Sequence, residues 1–214
     1  MVPITDNQLD CHVFEWVREV EAAVLPPKVY GAEFREAYES AEGVVWKLER
    51  AQNFYEPYEP SWVAMTEGEW ERSLQLIGEL RGSLPAEYEG YAEFRRVRVV
   101  EPPLTPYMQW ELHVLAARAE AGEHARVVPA SAVRSYEASG PLPELLIFES
   151  TLMYEVLYDA EGAHLGGRRI TDHDVISPCL AALAGLYEQG EELAAYHRRE
   201  VVPLPAPPAR RAVS

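Results

Sequence analysis

FRRVRVVEPPLTPYMQWELHVLAARAEAGEHARVVP, running from Phe94 to Pro129, changes its pattern twice. In FRRVRVVE, Val97 and Val99 alternate with Arg96, Arg98 and Val100, the period of two that a strand imposes. At Thr105 the pattern becomes helical. Thr105 then Pro106 reads as a helix start, a hydroxyl N-cap followed by a residue whose missing N–H costs nothing there. Gly122 is the natural stop, so the helix spans 106–121. ARVVP then reads as a second short strand. Taken with the helices and the strand-rich 144–170 region elsewhere in the chain, this mixture of strands and helices is read as an α+β fold.

Working outward, QLDCHVFEWVREVEAAVL at 8–25 places Leu9, Val13, Trp16, Val17, Val20 and Val24 on one helical stripe. That face either docks on the core or meets a partner. A short helix is expected over 32–42, broken by Gly43, and VVWKLER follows as a strand. In that strand Val44, Trp46 and Leu48 share one face and Val45, Lys47 and Glu49 the other. NFYEPYEPSW reads as an aromatic loop, and TEGE as a capping box with Thr66 as N-cap.

From 144 to 170, ELLIFES, LMYEVLYD and AHLGGRRI read as an antiparallel meander, with the Gly pair at 166–167 a bulge or bend. For the last helix two starts compete. Asp172 would leave Pro178 inside the helix; Ser177 as N-cap with Pro178 first is the cleaner reading. PLPAPPARRAVS reads as an extended, disordered tail. The expected organisation is an amphipathic helix in 1–28, an α+β core over 29–202 and a tail over 203–214. The core is a single domain whose antiparallel or mixed sheet has about five or six strands with packed helices.

The composition is that of a globular chain: 48% of its 214 residues are hydrophobic and 25% charged, enough for a core. The net charge of -16 repels phosphates, so direct nucleic-acid binding is not expected; the acidity reads either as solubility or as suiting a partner with a basic surface. Cys11 and Cys179, far apart, make neither a disulfide framework nor a zinc site. The first residues show no basic start followed by an apolar run, and no apolar run approaches the roughly 20 residues that span a bilayer. The expected compartment is the cytoplasm, with no membrane contact. Only Lys28 and Lys47 are lysines, and the arginine and alanine bias suggests a GC-rich genome.

The chemistry concentrates in the 106–121 helix. Tyr107, Glu111 and Arg118 lie on one stripe, beside a core stripe of Leu104, Met108, Leu112, Leu115 and Ala119. Trp110 and Val114 flank the first stripe. Arg96 and Arg98 project from one side of their strand; if that side faces the helix, they could clamp a carboxylate or phosphate. The alternative is structural: Glu111 neutralises an arginine at the junction of helix and sheet. Glu111 and His113 diverge by about 200° and cannot pair on a metal. DHD at 172–174 reads as a turn at a helix start, and no phosphate-cradle or nucleophile-elbow motif occurs. No metal site or cofactor is expected.

These residues resemble an actinobacterial family of unknown function whose core runs R-V-R-V-V, P-L-T/S-x-Y, an aromatic then Glu, and G-E-x-x-R-x-x-P. The match falls on 96–100, on Pro103, Leu104, Thr105, Tyr107, Trp110 and Glu111, and on Gly122, Glu123, Arg126 and Pro129. VVWKLERAQNFY upstream and the meander downstream are similar too, so the likeness covers roughly 32–201. Pro178 departs from the family's uninterrupted last helix. The resemblance carries no activity. Its members are often encoded beside helix-turn-helix regulators, which implies a regulatory or partner-binding role without catalysis. The expected recognition surface is Arg96, Arg98, Tyr107, Trp110, Glu111, Arg118 and Arg126, facing a DNA-binding regulator or a small anionic ligand. The competing expectation is an enzyme acting on an anionic substrate, with Glu111 or His113 as general base.

Overall fold

A computed structural model of the chain describes residues 12–208. Eight strands form one mixed sheet in the order β1-β7-β6-β5-β2-β3-β4-β8. The strands are β1 (Ala23–Leu25), β2 (Val44–Glu49), β3 (Glu93–Val100), β4 (His124–Pro129), β5 (Glu144–Phe148), β6 (Leu152–Tyr158), β7 (His164–Ile170) and β8 (Glu191–Glu192). β2, β3 and β4 run parallel, and every other pairing is antiparallel. The helices are α1 (Val13–Glu19), α2 (Pro27–Ser40), α3 (Pro60–Thr66), α4 (Trp70–Leu80), α5 (Pro85–Tyr88), α6 (Pro106–Glu120), α7 (Ala130–Val133), α8 (His173–Gln189) and α9 (Leu193–Tyr196).

The sheet exceeds the expected five or six strands by its two edges. β1 and β8 have three and two residues, too few for an alternating pattern to register. The central strands follow their patterns. In β2 and β3, Trp46, Leu48, Val97 and Val99 point into a core shared with α1 and α8. The opposite face carries two apolar clusters. One holds Val100, Ala125 and Val127 under α3, α4 and α6. The other holds Val45, Phe94, Leu146 and Phe148 beside Tyr30 and Phe34 of α2. Between the two clusters, on the same face, lie Lys47, Glu49, Arg96 and Arg98. Charged residues here must find partners, because helices cover the strands.

Four local expectations are corrected. The N-terminal helix is shorter than 8–25: residues 8–11 lie outside the described residues, and Val20 turns extended so that 23–25 pair with β7. Its apolar face, Val13, Phe14 and Val17, is buried in cis. Thr66 ends a helix instead of starting one: its hydroxyl donates to the Val63 carbonyl at 2.8 Å, and Gly68 takes φ +85°. The following helix starts at Trp70 with no side-chain cap. The last helix starts early, with Asp172 accepting from the Asp174 amide at 2.9 Å and Pro178 inside. A sound cap and burial of Val175 and Ile176 outweigh the one hydrogen bond that Pro178 omits. Of the expected disordered tail, 203–208 are described and held at Pro205, whose carbonyl accepts from Gln109 of α6 at 2.8 Å; 209–214 lie outside the described residues.

The 106–121 helix and the meander stand as read. The Gly pair at 166–167 sits in β7 beside a register shift at Leu157/Tyr158. Gly166 has φ +108°, and a Cβ there would meet the Leu25 carbonyl oxygen at 2.0 Å, so β1 pairs with β7 only because this residue is glycine.

Candidate functional site

α6 is anchored by Thr105, whose hydroxyl accepts from the Met108 amide at 3.0 Å and donates to the Gln52 carbonyl at 2.7 Å. Held there, the helix lowers Tyr107 and Glu111 onto β3. Arg98 Nε donates to Glu111 Oε2 at 2.7 Å, and the Tyr107 hydroxyl donates to Oε1 at 3.2 Å. The rest of the Arg98 guanidinium is taken by the carbonyls of Glu49, Ala51 and Val99.

One residue pair along, a second knot forms. Parallel register sets Lys47 beside Arg96 and Glu49 beside Arg98. Glu49 accepts from Lys47 Nζ at 2.6 Å and from Arg96 Nη1 at 2.5 Å. Arg96 also donates through Nε and Nη2 to both oxygens of Glu123. Glu123 accepts from the Tyr88 hydroxyl at 2.7 Å, and Arg118 donates to that hydroxyl at 3.0 Å and to Glu87 at 3.2 Å. Glu49, Arg96 and Glu123 have left water and are stable only with their partners, whereas Arg118 and Glu87 stay partly exposed and their pair is screened.

The protonation pattern follows from burial and partners. Burial raises Glu49, but Arg96, Lys47 and Arg98 outweigh it and hold the carboxyl well below the usual range. Glu123 is lowered in the same way, with Arg96 overriding burial. Glu111 is raised, because burial outweighs the Arg98 charge. Burial and the Glu111 charge push the Tyr107 hydroxyl far up, keeping it a donor. Burial brings Glu144 up to about 7 even though it accepts from the amides of Arg50 and Ala51.

Above these knots lies a cleft of about 890 Å³ between α2 and α6. Of the seven residues expected to form a recognition surface, Arg96, Tyr107, Trp110, Glu111 and Arg118 line it. Arg98 lies behind it, fully buried. Arg126 belongs elsewhere: its position on β4 is paired with Val97, whose side chain enters the opposite core. Its guanidinium sits 4.7 Å from the Tyr187 ring and pairs with Glu192 at 3.0 Å. Trp110 donates to the Ser61 hydroxyl at 3.1 Å. The expected arginine clamp is not free for an anion, because Arg96 and Arg98 are already engaged by carboxylates and carbonyls.

His113 points away from the cleft, sharing a 2.9 Å hydrogen bond with His197 and an edge-on contact with Trp70. Both oxygens of Glu111 are held. Neither expected general base therefore stands ready in the cleft. Among the described residues no three His, Cys, Asp or Glu side chains are placed to hold a metal ion. No helix among them is long and apolar enough to cross a membrane.

Lys47, Glu49, Tyr88 and Glu123 complete the site and were not among the expected residues. One signal pointed to two of them: Lys47 and Glu49 share a strand face with the apolar Val45, a face that packs inward, where a charge requires a partner.

Fold and site define an α+β protein with a mixed sheet, whose cleft is floored by self-neutralised ion pairs. The chain belongs to the family of the domain of unknown function DUF6879, whose model matches residues 32–198. No curated protein matches it. Among solved structures it is similar to TrmBL2, described as an archaeal chromatin protein that shows a novel mode of DNA binding. The two are 13% identical with a TM-score of 0.41, a likeness too loose to carry a functional argument. The match covers 81% of this chain, which spans about half (53%) of that protein.

Proposed function

We propose that this protein is a non-catalytic binding protein of the cytoplasm, a regulatory component that meets its partner through the cleft between α2 and α6. The observation that carries this reading is the saturation of the cleft's floor. Lys47, Arg96 and Arg118 are held by Glu49, Glu123 and Glu87, and Glu111 by Arg98 and Tyr107. Groups held this way form a shaped, preordered wall, which favours recognition over bond-making.

The partner class in this reading is a helix-turn-helix regulator, as the resemblance to an actinobacterial family implies. The net charge of -16 supports a partner with a basic face and disfavours direct contact with nucleic acid. The test is co-purification with the regulator encoded beside the gene, with Tyr91→Ala as the cleft variant. A stable complex that Tyr91→Ala weakens is the expected result. Absence of a complex, with the protein folded, overturns the partner reading.

A further inference from the structure

We propose that the cleft receives an organic cation, a protonated amine or a guanidinium carried on an apolar body. The inference rests on the reading of the cleft as a binding site and names the chemistry it selects.

The cleft carries more carboxylates than its own cations neutralise. Once the ion pairs of the floor are set aside, the lining groups left are the carboxylates of Glu39, Glu56 and Glu59 and the guanidinium of Arg35. Among the described residues, Glu39, Glu56 and Arg35 have no hydrogen-bond or ion-pair partner for their side chains, and Glu59 accepts only from the Ser61 hydroxyl at 3.2 Å. Arg35 offsets one carboxylate and leaves an excess of negative charge over a half-buried space. Glu56 is partly withdrawn from water, and its carboxyl is raised by that burial and by the neighbouring carboxylates of Glu111, Glu49 and Glu59, against the lowering charge of Lys47, a cost that an incoming cation would relieve.

One wall of the cleft is aromatic. Phe34 and Tyr38 stack with centroids 5.9 Å apart at 7°, and Tyr38 and Tyr91 stack at 5.3 Å and 21°. Phe94 meets Tyr38 edge-on at 6.0 Å. All four rings line the cleft. Aromatic faces attract cations within about 6 Å and repel anions. The same wall already uses this contact: the Arg96 guanidinium lies 5.5 Å from the Phe94 centroid. A surplus carboxylate above and a ring wall beside it recognise a positive head and an apolar body together, and neither suits a phosphate or carboxylate ligand.

That head has two possible sources, a free amine or a basic side chain of a protein partner. The experiment titrates the full chain, followed by tryptophan fluorescence and calorimetry, with spermidine, with Nα-acetyl-arginine amide and with an arginine-bearing peptide. Nα-acetyl-glutamate amide is the anionic control. Binding of a cationic probe that weakens about ten-fold in Glu56→Gln, as expected for loss of one charge-assisted contact, supports the inference. Weakening in Tyr91→Ala and at high salt supports it too, with Glu188→Gln unchanged as a remote control. Preference for spermidine assigns a free amine; preference for the peptide assigns a partner's side chain. Binding of the anionic control in place of the cations overturns the ligand class and leaves the cleft as a binding site. If no probe binds while the regulator is still captured in a Tyr91-dependent way, the cation inference alone fails. If neither probe nor regulator engages the folded chain, both readings fail.

Discussion

Arg98 of β3 and Glu111 of α6 form an ion pair at 2.7 Å, with Arg98 fully buried and Glu111 nearly so. The pair ties the sheet to the helix that carries the cleft. Removing one partner leaves the other charge in a low-dielectric site. Arg98→Met is expected to cost about 3–5 kcal/mol in urea unfolding, and Arg98→Met with Glu111→Leu to recover part of that. Recovery is incomplete because the Glu49 and Ala51 carbonyls lose their donor. A single-variant cost below about 1 kcal/mol, the range of ordinary surface changes, would contradict the buried pair.

Thr105 makes two hydrogen bonds with one hydroxyl, capping α6 and holding Gln52. Thr105→Ala is expected to lower stability by about 1–2 kcal/mol, and Thr105→Ser to keep most of it. Equal losses in both variants would point to the methyl group instead.

The start of α8 is decided by its cap. Asp172→Ala should cost about 1 kcal/mol, while Ser177→Ala stays within about 0.5 kcal/mol. The reverse ranking would favour the later start at Ser177.

α1 belongs to the same core as the sheet. Phe14 is buried and meets Tyr136 edge-on at 5.3 Å. Phe14→Ala is expected to destabilise the protein by about 3–5 kcal/mol, read from the unfolding midpoint. A variant as stable as the parent would return this helix to the role of a partner-binding arm.

The His113–His197 pair gives a pH dependence with a defined sign. Burial lowers His113 to about 4, with the charges of His197 and Arg81 adding to it, from an ordinary 6.5. His197 is lowered as well, first by burial. Between those values the unfolded chain binds more protons, so the pair's contribution to stability falls as pH drops from about 6.5 to 4. Glu144, raised to about 7, works in the opposite direction. The comparison is therefore between the parent and His113→Gln/His197→Gln. The double variant should lose less stability between pH 7 and 4. Parallel curves would show that the imidazoles titrate alike in the folded and unfolded chains.

Much of the site's scaffold was legible residue by residue. The cap at Thr105, the stop at Gly122 and the alternation in FRRVRVVE each depend on residues a few positions apart, so local hydrogen bonding and periodicity determine them. The same alternation told that Arg96 and Arg98 share one face. It did not tell that Arg126 faces the other core, because that needs the register of β4 on β3.

The ion-pair partners came from the tertiary structure alone. Arg96 meets Glu49 from 47 positions away and Glu123 from 27, and Glu123 meets Tyr88 across 35. Such contacts depend on strand order, parallel register and the seating of α6, none of which leaves a mark within a short window of sequence. The edge strands β1 and β8 are of the same kind. They are strands because neighbouring edges offer free amides and carbonyls, and their own few residues carry no period. The chain's residues determine locally which groups are charged and which face they share; packing decides which of those charges cancel, and so which remain to face the cleft.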